Sequence, residues 1–127
     1  MADVNRGNRP LSPHLQIYGW QLPMFSSILV RMTGIALWLG LFLVVWWLLA
    51  AATSDGAFAF IDGLLRSFLG DLVLLAATWA IFYHMLGRLR HVIWDFGYCL
   101  DVPTSEKLAI GMLAGATVLT VIAAILV

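Results

Sequence analysis

The sequence predicts an all-α membrane protein with three transmembrane helices, and three observations carry that reading. Of 127 residues, 62% are hydrophobic and 11% charged, far from the soluble globular average, and the mean hydropathy is +0.95. Three apolar runs are each long enough to cross a bilayer core, which needs ~20 helical residues. One line of polar groups, His84, Arg88, His91 and Asp95, runs along the second run at spacings of four, three and four. On a 3.6-residue period all four side chains share one helical face.

The elements follow in order. A polar or mixed tail of about twenty residues leads to the first span, about 24–52. That run is too long for the apolar region of a secretory signal, and Pro23 suits the first turn of a helix. The stretch Thr53–Gly63 contains Ser54, Asp55, Gly56 and Gly63 and reads as an exposed connection carrying a short surface helix at Phe58–Leu65. The second span covers about 68–91, with Asp71 near its start, and the third about 107–127. Its helix is expected to start at Thr104, after Pro103, with Glu106 favouring the dipole in the first turn. No internal repeat or low-complexity linker interrupts the chain, so residues 1–127 read as a single transmembrane domain. A formal net charge of zero leaves no basic surface for nucleic acid. The single cysteine, Cys99, excludes an internal disulfide and offers no zinc spacing.

Positive charges set the orientation. Arg6 and Arg9 lie in the tail, Arg88 and Arg90 close the second span, and Lys107 opens the third. The loop between the first two spans sets Arg66 against Asp55, Asp62 and Asp71. The N-terminus and the second loop are therefore expected in the cytoplasm and the C-terminus on the far side. Trp46 and Trp47 fall in the outer aromatic belt, Trp20 and Trp94 in the inner one. Ser27 and Arg31, one turn apart on the first span, then share a depth with Arg88, His91 and Asp95. Antiparallel neighbouring helices can bring these patches together. His84 lies two turns deeper than His91, roughly 10 Å.

Ionisable groups inside a span are costly and mark functional sites by default. His84 is the only one deep inside a span, and two readings stand: an iron or metal ligand, or a histidine hydrogen-bonded to another helix. A bis-histidine haem needs ligands on opposite sides of one iron. His91, on the same helix face, cannot supply the second, and His14 lies in the tail, so a haem at His84 takes its other ligand from another chain. Arg31 can hold a haem propionate or a quinone carbonyl by charge-assisted hydrogen bonds, or snorkel to the interface. Ser27 can donate to a carbonyl oxygen or bond back to its own helix. Gly34 leaves room for a flat ring or for helix packing. Gly111 and Gly115 have the spacing of a small-residue packing motif. Asp95 can pair with Arg31, Arg88 or water. Arg90 and Asp101 read as solvated, and Cys99 as inert.

Three stretches carry a resemblance. The tail Arg9-Pro10-Leu11-Ser12-Pro13-His14-Leu15-Gln16-Ile17-Tyr18 resembles the N-terminal signature of the larger cytochrome b anchor subunit of succinate dehydrogenase, respiratory complex II. Ser27-Ile28-Leu29-Val30-Arg31-Met32-Thr33-Gly34 resembles its S-x-x-H-R-x-[ST]-G motif, and the stretch from His84 to Asp95 its H-x-x-x-G-x-R-H-x-x-W-D motif. Val30 stands where that family often has histidine. Arg88 stands where it usually has a small residue, with the glycine shifted to Gly87.

The resemblance implies a three-span chain within a helical bundle shared with a second, smaller anchor subunit, in a bacterial inner membrane with a cytoplasmic N-terminus and a periplasmic C-terminus. It implies haem b with His84 as one axial ligand and the smaller anchor subunit giving the other, and Arg31 and His91 assisting the propionates. It implies a ubiquinone site lined by Ser27, Arg31, Ile28 and Trp20, tuned by Asp95, at the junction with the iron–sulfur subunit. FAD and the iron–sulfur clusters belong to the flavoprotein and iron–sulfur partners. The rival expectations are a fumarate reductase anchor, which runs the reverse reaction, and a non-redox membrane scaffold in which His84 only packs.

Overall fold

The structure is a computed structural model and describes residues 9–126. Arg6, used in the charge argument, and Val127, the end of the third expected span, lie outside the described residues. Four helices make up the fold: α1 (Leu22–Thr53), α2 (Asp55–Leu65), α3 (Phe68–Asp95) and α4 (Val102–Leu126). The three long helices are also long and apolar enough to cross a membrane.

Local chemistry sets the ends. Pro23 sits in the first turn of α1, where its missing N–H has no helical partner to lose. The Ser54 hydroxyl accepts the Ala57 amide at 3.2 Å and caps α2. The short helix therefore begins at Asp55, three residues before the position the sequence suggests. Trp47 Nε1 donates to Asp62 at 3.4 Å, and Asp62 pairs with Arg66 at 2.9 Å, tying α2 to the end of α1. Ser67 caps α3 through the Gly70 amide. A β-carbon at Gly70 would run into the carbonyls of Leu64 and Leu65, so this corner requires glycine. Helix α3 runs one turn past the expected boundary, to Asp95. It stops at Gly97, whose φ of +79° lets the Tyr98 and Gly97 amides bond back to Ile93 and Trp94 at 3.2 and 2.8 Å. Helix α4 starts at Val102 rather than after Pro103. Asp101 Oδ2 accepts from the Thr104 amide at 3.0 Å and the Thr104 hydroxyl at 2.6 Å, so Asp101 is the cap and Pro103 lies inside the first turn.

Helix α3 packs against both α1 and α4. At Gly87 a β-carbon would stand 2.5 Å from Val30 and 3.2 Å from Met112, so this glycine lets three helices converge. Val30, Tyr83, Met112 and Ala116 form the small core. The buried face of α4 is Ser105, Ala109, Met112, Ala116 and Thr120, at helical spacing. Gly115 faces Leu86, but Gly111 faces open space, so the suggested two-glycine packing motif is not what joins α4 to α3. Most of the large apolar side chains of α1, including Ile35, Trp38, Leu39 and Phe42, remain exposed, as a hydrocarbon solvent allows.

Candidate functional site

Near the end of the bundle where α1 begins and α3 ends, the two helices run antiparallel and bring their polar residues face to face. His84 on α3 places Nδ1 3.0 Å from the Val30 carbonyl and 3.3 Å from Thr33 Oγ1. A carbonyl can only accept, so Nδ1 carries the proton and the Nε2 lone pair is left facing away. Thr33 spends its own proton on the Leu29 and Val30 carbonyls, at 2.8 and 3.0 Å. Its oxygen is thereby free to accept from the imidazole. Arg88 Nε donates to His84 Nε2 at 3.1 Å. Opposite the ring stands Gly34, where a β-carbon would lie 3.0 Å from His84 Cε1. The flat ring that Gly34 admits is thus the imidazole itself.

A cavity of about 450 Å³ opens beside this histidine, within the range of roughly 300–1,000 Å³ typical of small-ligand sites. From α1 it is lined by Ser27, Arg31 and Gly34, with Ile35 and Trp38 at its apolar side; from α3 it is lined by His84, Arg88 and His91. Arg31 and Arg88 line it and, among the described residues, no carboxylate does, so its chemistry suits a ligand that is flat, largely apolar and anionic at one edge. His91 donates from Nδ1 to the Gly87 carbonyl at 2.7 Å and meets Trp94 edge-on at 5.2 Å. Among the described residues the Ser27 hydroxyl has no hydrogen-bond partner, unlike the neighbouring Ser26, which can bond back to Pro23 at 3.3 Å.

Three residues named with this site lie apart from the cavity. Trp20 is 77% exposed ahead of α1, Ile28 points off another face of that helix, and Asp95 is exposed at the last turn of α3. Asp95 pairs with neither Arg31 nor Arg88. The ion pair among the described residues is Asp62–Arg66.

Arg90, which reads as solvated in the sequence, is instead enclosed by the bundle. Arg90 is 2% exposed. It donates to Ser26 Oγ at 2.6 Å and lies 4.5 Å over the Trp94 ring. Tyr83 donates its hydroxyl to the Ser26 carbonyl at 3.2 Å and stacks on Trp79. The available signal was a second stripe, Tyr83, Gly87, Arg90 and Trp94, at the same four–three–four spacing as His84, Arg88, His91 and Asp95. One stripe faces the interior against Ser26; of the other, His84, Arg88 and His91 face the cavity and Asp95 lies beyond it. Ser26 and Ser27 divide in the same way.

Comparison with known proteins gives the context for this geometry. The family of succinate dehydrogenase/fumarate reductase transmembrane subunits matches residues 5–123. The succinate dehydrogenase cytochrome b556 subunit of Paracoccus denitrificans is 51% identical over 122 residues, covering 96% of this chain and 94% of that protein. The cytochrome b556 subunit of Rickettsia conorii is 34% identical over 114 residues, covering 90% and 89%. The mitochondrial cytochrome b560 subunit of Bos taurus is 37% identical over 123 residues, covering 93% and 69%. The chain belongs to the family of succinate dehydrogenase/fumarate reductase transmembrane subunits.

Proposed function

We propose that this chain is the larger cytochrome b anchor of a succinate:ubiquinone oxidoreductase, holding haem b with a partner subunit and completing the site of ubiquinone reduction. The observation that carries the reading is the fixed tautomer of His84, whose Nε2 faces a cavity bearing Arg31 and Arg88. The residues present fit the group. His84 Nε2 would ligate the iron, with the Val30 carbonyl fixing the ring as outer partners of metal-bound histidines do. Arg31 and His91 would meet the propionates, and Gly34 keeps the ring in place. Bound there, haem b would supply a one-electron redox centre within the membrane. The described histidines are His14 in the tail, His84 and His91, and none of them stands across the cavity from His84, so the smaller anchor subunit would supply the other iron ligand.

Ser27 and Arg31 serve the quinone. A carbonyl gains negative charge on reduction, and a free hydroxyl with a guanidinium one turn away favours the reduced form. Trp20, Ile28 and Asp95 lie outside the cavity, so in this reading they act on surfaces completed by the iron–sulfur subunit, which carries electrons from the flavoprotein. The charge pattern supports an N-terminus in the cytoplasm and a C-terminus in the periplasm of a bacterial inner membrane. The relatives' names favour succinate oxidation over the reverse reaction.

The test compares Ser27→Ala and Arg31→Leu in membranes holding equal amounts of assembled complex. Succinate–ubiquinone activity should fall, by about 10²–10³ where the lost donor acts in the transition state. Transfer from succinate to an artificial acceptor upstream should stay near normal. Arg31→Lys should restore only part, since lysine lacks the planar fork. Equal loss of both activities, or loss of neither, would remove these residues from the quinone site.

A further inference from the structure

The cavity beside His84 carries a charge that neither the quinone site nor the histidine explains. Arg88 sits one turn beyond His84, on the same face of α3, with Nε 3.1 Å from Nε2. It thereby occupies the one lone pair of the neutral imidazole. An N–H donor and an iron ion cannot share that lone pair, so binding of iron displaces this hydrogen bond. The displaced guanidinium stays tethered to α3 at the rim of the cavity, where Arg31 is also found and where no carboxylate lines the wall. A second uncompensated cation in a low-dielectric region is costly unless the ligand brings negative charge.

We propose that Arg88, which donates to His84 Nε2, becomes a charge partner of the bound haem and shifts its one-electron equilibrium toward the reduced form. This rests on the haem reading above. The reason is Coulombic. Reduction adds one electron to the iron with no change of ligands, so a fixed positive charge nearby favours the product. A unit charge at roughly 10 Å in an effective dielectric near 20 changes the reduced-to-oxidised ratio on the order of tenfold. For a one-electron couple, tenfold corresponds to about 59 mV.

The experiment is a mediator-poised redox titration of the b-type absorption band in membranes containing the whole complex, for the native chain, R88Q and R88K. At the potential where the native haem is half reduced, R88Q should show an intact low-spin band but a ratio about tenfold lower. R88K, which keeps the charge, should stay near the native ratio. An R88Q band titrating at the native potential overturns the proposal and leaves the haem reading standing. If R88Q loses the band, R88K decides: a native ratio supports the charge role, and a shifted ratio overturns it. Loss of the band in both variants also overturns it, because Arg88 would then be a structural requirement. Absence of a b-type band in the native complex would refute the haem reading itself.

Discussion

Replacing Arg90 tests how the buried end of the bundle is held. Its guanidinium makes one hydrogen bond, to Ser26 Oγ at 2.6 Å, and lies 4.5 Å over Trp94. Hydrogen bonds to charged groups contribute about 1.5–3 kcal/mol net, and a desolvated cation–π contact about 2 kcal/mol. Against this, Nε and Nη2 are buried with no partner among the described residues, and each unsatisfied buried donor costs about 1–3 kcal/mol. These contributions nearly cancel. Arg90→Met, which keeps the stem volume and removes the orphaned donors, should therefore lie within about 1.5 kcal/mol of the native chain. Arg90→Ala leaves a void between Tyr83, Ser26 and Trp94 and should fall below the methionine variant by about 2–5 kcal/mol. The assay is the half-life of the assembled complex in detergent at fixed temperature, since such assemblies unfold irreversibly. Alanine should shorten it at least tenfold relative to methionine, because ~1.4 kcal/mol is tenfold in rate. Arg90→Lys should resemble alanine, since a compact, strongly hydrated charge stays buried without the planar group that lies over Trp94. A lysine variant as durable as the native chain, with methionine and alanine equally weak, would refute the reasoning and make the buried charge itself the stabilising feature.

Two further outcomes follow from single contacts. Gly34→Val should distort or empty the proposed haem site while leaving α1 inserted, because even a β-carbon would stand 3.0 Å from His84 Cε1; the b-type band of assembled membranes reads this, and an unchanged band would mean the ring is free to move. The Thr104 hydroxyl and amide hold the Asp101 carboxyl below its ordinary value, so its capping contribution is present above the unfolded carboxylate value near pH ~3.9 and is lost as pH falls through the lower folded value. Asp101→Ala should remove that acid limb from the hydrogen-exchange protection of the Thr104 amide, and an unchanged pH profile would assign the cap elsewhere.

The three long apolar helices were legible because composition and length speak directly to a hydrocarbon environment. Ser27 and Arg31 group with Arg88 and His91 because spacing sets helical phase, and antiparallel neighbours at one depth must face each other somewhere; Asp95, expected in the same patch, lies outside the cavity. Phase alone did not say which of two adjacent stripes on α3 turns inward. Arg90 and Arg88 differ by two residues, and only the packing of Gly87 against Val30 and Met112 decides that Arg90 is buried and Arg88 reaches the cavity. Thr33 was hidden for a related reason: its role depends on the register of α1 against the His84 ring. Helix α4 starts earlier than the sequence suggests because proline is tolerated within a first turn once Asp101 supplies the cap.

One nitrogen, His84 Nε2, decides the haem assignment, and one spectrum examines it. A reduced-minus-oxidised difference spectrum of membranes with equal assembled complex should show a low-spin b-type band in the native protein. In His84→Leu the band should be lost or become high-spin while the chain remains inserted. An unchanged low-spin band in the His84→Leu complex would contradict the assignment.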